Sequence, residues 1–490
     1  MKQSTLLISC LILSVCKVSA QNQEKYFPEG ATWQEQLIEL RNADNEMKGD
    51  VNTYRFEDTT AQDFTVDNFK FRILSEKEAE VAISVGNEEF WNFTEPTHFD
   101  IPSKVLYGNK EYTVTAIDEE GFCPAIPTSL DHGYIPFDWA PFTIDVPNTV
   151  THIGDWAFAY SGLAEIHLPE SLEHIGFRCF IGDHLLESIH IPQNVSSIGG
   201  LAFYLCINLD AITVDPSNEH YDSRDNSNCL IETKTNTVLA GCNKSVLPQT
   251  IEAIQQLAFE DMERLQEISI PEGVTRIENE TFIGCSGLTK IEFPESLKYI
   301  GQYTFSGCVN AIFELPCQVD TIDDCAFMQC RSVEELVFPE SLDFIGGGAF
   351  YECRGVKNVT CKSKHKAPVV ESKNAFDTKD GVLYTNAVLH VPDKKIYADK
   401  EGWKLFKNVE EFGDGPDGIA DLPTGDISIK GCNGTIQVNG ARMGSRVHIY
   451  STNGHLVYLS ITKESDTVIE LPTQTAYIVV VDGIRQKILL

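Results

Sequence analysis

Basic residues are scarce in this chain: 38 Lys and Arg stand against 72 Asp and Glu, a formal net charge of −34. That shortage argues against a nucleic-acid ligand, whose phosphates are met by Lys and Arg, and equally against docking on an anionic membrane through a polybasic patch. Long apolar runs are missing after the first twenty residues, so nothing further has the length of a bilayer-spanning helix. Catalytic signatures are also missing: there is no His-Glu-x-x-His, no Walker loop and no Gly-x-Ser-x-Gly. The His residues are scattered, no Cys-x-x-Cys pair is present, and neither a metal nor a cofactor is called for by spacing. Gly413-Asp414-Gly415-Pro416-Asp417-Gly418 has the glycine spacing of a dinucleotide loop, but Pro416 inside an acidic run reads as a linker.

What the chain does have is one phrase in eight copies. A Phe recurs at 158, 180, 203, 259, 282, 305, 327 and 350, with an Ile five residues before it and a Pro eleven before it each time. A fixed period of 22 or 23 residues, broken by one long gap after Phe203, is the signature of a solenoid. Within one unit, Leu288-x-x-Ile291-x-Phe293-Pro294 alternates apolar and polar residues as a half-buried strand ended by proline. A second short extended piece, Leu297-x-x-Ile300-Gly301, follows, and Tyr303-Thr304-Phe305-x-x-Cys308 has the spacing of one helical turn. A unit this short buries too little apolar surface to offset the entropy of ordering its backbone. Units must therefore stack, and their strands should pair in parallel.

The phrase Ile-Pro-x-x-Val-x-x-Ile-Gly-x-x-Ala-Phe-x-x-Cys-x-x-Leu-x-x-Ile, matched most closely over 191–212 and 270–291, resembles the BspA-like leucine-rich repeat. The resemblance runs over roughly 106–412, somewhat more than half of the chain. It implies a mainly β leucine-rich-repeat solenoid with a parallel strand ladder, used on a bacterial cell surface for adhesion or recognition, with no catalytic residues to carry over.

Flanking segments complete the expected organisation. Lys2, the apolar run from Leu6 to Leu13 and Val18-Ser19-Ala20 read as a signal peptide over 1–20. A lipoprotein box at Leu7-Ile8-Ser9-Cys10 has too short an apolar core before it. Residues 21–105 read as a β-rich N-terminal cap, with a helix at Trp33–Leu40 and strands at Phe64–Phe71 and Glu80–Val85; Tyr112–Ile117 supplies another strand just beyond. The repeats should close with a helical Lys394–Phe406, residues 413–425 form the linker, and 426–490 carries seven short strands of a β-sandwich. Val447-His448-Ile449-Tyr450, Asn453-Gly454 and Tyr477-Ile478-Val479-Val480 resemble the C-terminal sorting domain of type IX secretion in Bacteroidetes. The Asn-Pro opening of that family is absent, so the resemblance implies its fold rather than its secretion route.

Two candidate binding surfaces emerge. The first is an insertion between Phe122 and Phe158 that carries Tyr134, Phe137, Trp139 and Phe142, followed by Trp156. Clustered aromatics form either a partner surface or additional core. The second is the pair of strand columns that should face outward, including Glu165, His167, Ser188, His190, Lys290 and Glu292. Cys206, Cys285, Cys308, Cys330 and Cys353 each lie three residues after a repeat Phe and should be inward, unpaired fillers. Cys229 and Cys242 flank a hairpin in the long gap and are the candidate disulfide. The expectation is a secreted surface protein that binds an extracellular protein or a glycan, with a non-catalytic accessory or spacer role as the alternative.

Overall fold

The computed structural model describes residues 63–67, 69–85, 95–124, 140–378, 381–412 and most of 428–489. The candidate helix at Trp33–Leu40 and the leader lie outside these residues. Two compact units are present: residues up to 389 with 396–408, and residues 390–395 with 409 onward.

The first unit is a leucine-rich-repeat solenoid, mainly β. Alternation places Ile144, Ile166, Ile189 and Ile212 inside and their neighbours outside, and the strands carrying them pair in parallel one coil apart. Thr97–Asp100, Phe142–Asp145 and Leu163–His167 form one such sheet; Ser188–Ile191 pairs with Ala211–Val214, and Glu267–Ser269 with Lys290–Glu292. The second extended piece makes a ladder of its own, with Arg276-Ile277, Tyr299-Ile300, Thr321-Ile322, Phe344-Ile345 and Val369-Val370 in register. The Ile-Gly dipeptide that recurs after this piece has a steric cause, seen in the matching ladder of His152-Ile153, His174-Ile175 and Ser197-Ile198: a Cβ on Gly199 would lie 2.3 Å from the Phe177 nitrogen of the preceding coil.

The segment around the repeat Phe is not the helical turn its spacing suggests. Two residues before each Phe, and again two after it, the backbone is left-handed: Glu280, Tyr303 and Cys325 have φ of 58°, 53° and 53°, and Gly284, Gly307 and Gln329 have φ of 75°, 81° and 65°. An α-turn would satisfy its amides internally. Alternating hand instead points every second N–H along the solenoid axis, so Phe282 donates to the Thr304 carbonyl at 2.9 Å and Phe305 to that of Ala326 at 2.7 Å. These bonds to the next coil offset a left-handed cost of roughly 1–2 kcal/mol for each non-glycine residue.

Coil spacing brings the phenyl rings into stacks. Phe122, Phe158, Phe180 and Phe203 are separated by 5.1, 5.5 and 5.4 Å. A second stack from Phe259 through Phe282, Phe305, Phe327 and Phe350 to Phe376 has spacings of 4.9 to 5.5 Å. Between the stacks sits the oversized unit, where Leu230–Glu232 and Thr237–Ala240 form the expected hairpin and Thr237-Val238 pairs in parallel with Ala253-Ile254.

The five cysteines after the repeat Phe are buried, and their role is more specific than filling space. Each thiol donates to the carbonyl of the Phe one coil back: Cys206 to Phe180, Cys285 to Phe259, Cys308 to Phe282, Cys330 to Phe305 and Cys353 to Phe327, at 3.1 to 3.3 Å. In the coil of Phe180 the slot holds Asp183, whose buried carboxylate accepts from the Ser161 amide and hydroxyl, both at 3.0 Å. Burial pushes the Asp183 carboxyl well above the usual range. Cys229 and Cys242 correct the sequence expectation: they stand as two separate thiols, donating to the carbonyls of Ser227 and Asn228.

Both ends of the stacks are covered. Strands Asp63–Val66, Phe69–Ser75 and Glu80–Val85 continue the ladder through Lys110–Ile117 into His152-Ile153, and Phe69 lies 6.2 Å from Phe122. At the other end Trp403 packs 5.4 Å from Phe376 and its indole donates to the Pro368 carbonyl at 2.9 Å. The expected long helix there is only Lys394–Tyr397 plus a single 3-10 turn at Trp403–Leu405; Gly402, with φ of 74°, separates them.

In the second unit, Ser428–Cys432, Thr435–Asn439 and Asp466–Glu470 form one antiparallel sheet. Leu456–Ile461, Arg446–Ser451, Ala476–Val481 and Ile484–Leu489 form another. Alternate residues of both, including Ile436, Val438, Val447, Ile449 and Val479, meet in one core, as in a sandwich. Among the described residues no helix is long and apolar enough to cross a membrane.

Candidate functional site

The aromatic insertion divides. Tyr134, Phe137 and Trp139 lie outside the described residues. Phe142 is corrected from a surface candidate to core: it is fully buried and packs against Phe99 at 5.9 Å, because Phe142-Thr143-Ile144-Asp145 is itself a strand whose first and third residues face inward. Trp156 is half-buried at one of the left-handed positions, edge-on to Phe177 and with the Arg178 guanidinium 5.1 Å from its ring centre. Phe142 and Trp156 thus serve different parts of the coil.

The outward strand columns are assembled as expected and reach further than the periodic repeats suggested. Two strands, Thr97–Asp100 and Phe142–Asp145, precede Leu163–His167 in the same sheet. Register aligns His98 with Thr143 and Asp100 with Asp145, and then Thr143 with Glu165 and Asp145 with His167. Ser188 and His190 lie on the strand of the next coil, in a separate two-stranded sheet, where they pair with Ala211 and Thr213. Glu165, His167, Ser188, His190 and Thr213 are all exposed. Lys290 and Glu292 lie beyond the oversized unit, half-buried, and form an ion pair with each other at 2.5 Å.

Contacts across this face are ordered rather than random. His98 Nδ1 lies 2.7 Å from Thr143 Oγ1 and His190 Nδ1 lies 2.9 Å from Thr213 Oγ1. His167 Nδ1 meets Asp145 Oδ1 at 2.6 Å, while its Nε2 is 3.3 Å from Glu165 Oε1. The hydrogen bond to Asp145, reinforced by both carboxylates, holds the His167 imidazole above the usual histidine range. The face is therefore a strip of imidazoles, hydroxyls and carboxylates on rigid strands, able to donate and accept hydrogen bonds in a fixed pattern. His98, Asp100 and Asp145 were not among the residues singled out from sequence; the alternation of Thr97-His98-Phe99-Asp100 was the available signal.

A concavity lies where the two phenyl stacks part. It has a volume of about 160 Å³ and is lined by Tyr204, Tyr221, Leu230, Gln255, Glu260 and Met262, among others. Burial holds the Glu260 carboxyl well above its usual range and pushes that of neighbouring Asp261 up to about 6.

Residues 141–239 and 252–378 match the family described as BspA type Leucine rich repeat region, in six copies. Among solved structures, the chain is similar to the pneumococcal vaccine antigen PcpA, at 17% identity and a TM-score of 0.45, covering 71% of this chain and 98% of that one. It is also similar to a leucine rich cell surface protein from Faecalibacterium prausnitzii, at 21% identity and a TM-score of 0.35, covering 73% and 96% of the two chains. A leucine-rich repeat protein from Eubacterium ventriosum shares 18% identity at a TM-score of 0.40, over 65% of this chain and 95% of that one. No curated protein matches.

Proposed function

We propose that these BspA type leucine-rich repeats serve a secreted, surface-associated binding or adhesion protein that recognises an extracellular protein or a glycan. The observation that carries this reading is the outward strand face from His98 to Thr213. Its polar side chains stand in register within two sets of parallel strands, Thr97–Asp100 to Leu163–His167 and Ser188–Ile191 to Ala211–Val214, whose opposite faces are locked into the core. A face preorganised in this way loses little side-chain entropy on binding. The leader-like segment 1–20 supports export, and the deficit of Lys and Arg disfavours nucleic acid as the partner.

The test is a glycan and extracellular-matrix array probed with the purified full chain, then repeated with a His167→Ala, His190→Ala double variant. The reading requires a saturable ligand on the array and at least a tenfold loss of affinity in the variant at an unchanged melting midpoint. Unchanged affinity in the variant would refute the strand face as the site, and an array without any bound ligand would count against the binding role.

A further inference from the structure

We infer that His98, Asp100 and Asp145 form a three-ligand site for a divalent transition-metal ion of borderline softness, with zinc as the type. The site stands at the first-coil end of the strand face and does not depend on the identity of a macromolecular partner.

Register creates the site. His98 and Asp100 are two apart on one strand, so both point outward, and Asp145 is the cross-strand partner of Asp100. Two carboxylates set directly opposite one another repel, and this chain adds Glu165 nearby. A cation between them removes that cost.

Distances favour a metal over a shared proton. His98 Nε2 lies 3.5 Å from Asp100 Oδ1 and 3.5 Å from Asp145 Oδ2. That is too long for a strong N–H···O bond, whose usual length is about 2.9–3.0 Å. It is the separation a tetrahedral zinc ion imposes, because metal–ligand bonds of about 2.0–2.2 Å at the tetrahedral angle set ligand atoms roughly 3.3–3.5 Å apart. All three ligand atoms lie within 4.8 Å of one another. A water completes the fourth position.

The surrounding residues orient the ligands. The tautomer in which His98 Nδ1–H donates to Thr143 Oγ1, 2.7 Å away, is the one that metal binding selects, since it leaves the Nε2 lone pair facing the two carboxylates. The other oxygen of Asp145 accepts from His167 Nδ1 at 2.6 Å, which fixes the rotation of that carboxylate. Metal-bound residues are commonly held by such partners. The imidazole ligand selects against Ca²⁺ and Mg²⁺, which take oxygen, and suits Zn²⁺, Ni²⁺ or Co²⁺. Elsewhere, His152 and His174 stand one coil apart with ring centres 4.5 Å from each other and Glu173 adjacent. That pair is the internal competitor: its rings are tilted by 30° and, with Glu173, its ligand atoms also lie within 4.8 Å of one another, so a variant at His174 separates the two sites.

The experiment is calorimetric titration of the full, metal-stripped chain with Zn²⁺ in the presence of excess Ca²⁺. It is repeated with His98→Ala, Asp145→Asn, His167→Ala and His174→Ala, and the melting midpoint of each variant in EDTA confirms folding. The site predicts one saturable equivalent, a loss of at least tenfold in affinity for His98→Ala and for Asp145→Asn, and a loss of roughly tenfold for His167→Ala, which acts only by positioning. His174→Ala should bind like the parent. The Co²⁺ form should show the strong visible absorption of a tetrahedral ion, diminished in His98→Ala. Absence of saturable Zn²⁺ binding, binding that survives both His98→Ala and Asp145→Asn, or binding lost in His174→Ala would overturn the assignment.

Discussion

Replacing Phe305 by Ala tests the repeat at its most constrained point. The ring is fully buried, stacked between Phe282 at 5.2 Å and Phe327 at 5.4 Å, and met edge-on by Phe293 at 5.5 Å. Core Phe→Ala changes cost about 3–5 kcal/mol, and the value depends on how far the surroundings collapse into the space. Collapse is opposed here, since the neighbouring coils are held apart by amide bonds on both sides of the ring, Phe282 to Thr304 and Phe305 to Ala326. Three aromatic contacts of about 0.5–1.5 kcal/mol each are lost as well. The expected destabilisation is therefore at the upper end, roughly 4–5 kcal/mol, and Phe305→Leu should recover a good part of it. Equilibrium urea unfolding followed by circular dichroism measures the change, with hydrogen exchange of the amides in the adjoining coils reporting whether the loss is local, as nearest-neighbour coupling in a solenoid requires. A midpoint for Phe305→Ala equal to that of the exposed-residue control Glu267→Ala would refute the stacked-ring account.

Four further outcomes are expected. Gly199→Ala should destabilise by about 1–3 kcal/mol or more, because its Cβ would meet the Phe177 nitrogen at 2.3 Å, whereas Gly200→Ala, with nothing nearer than 3.7 Å, should be tolerated; equal midpoints would contradict the close approach of coils. Cys206, Cys285, Cys308, Cys330 and Cys353 should resist alkylation until unfolding and then all react without reductant, while exposed Cys317 labels in the native state; a Cys285–Cys308 bridge in mass mapping would contradict the thiol-to-carbonyl ladder. Asp261, held at about 6 in the fold by burial against an ordinary 3.8, destabilises as pH rises between those values. Lowering the pH from about 7 to about 5 should thus restore on the order of 1 kcal/mol that Asp261→Asn does not show, and an identical pH dependence in the two proteins would exclude it. Trp139→Ala should weaken binding of an array-identified ligand by about 2 kcal/mol if the aromatic insertion contributes to the interface; parental affinity would leave the strand face alone.

The period of Phe, Ile and Pro was enough to determine a stacked solenoid, since a 22- or 23-residue unit has no other way to cover its apolar side. Period-two alternation likewise assigned the inward Ile and outward polar columns, and the Cys three after five of the eight Phe were legible as interior because they share the phase of the ring. The turn around the Phe was not legible: i, i+3 spacing is common to a helical turn and to paired left-handed residues, and most of the left-handed positions are not glycine. Which of the two forms is set by the neighbouring coil, whose carbonyls claim the N–H groups. Phe142 was misplaced because it borders an insertion of irregular length, where the period no longer gives the phase and only pairing with Thr97–Asp100 does. For the same reason the cluster of His98, Asp100 and Asp145 belongs to the tertiary structure alone. Its members come from two strands offset by 45 residues on either side of the irregular insertion, and parallel register, with no local motif, brings their side chains together.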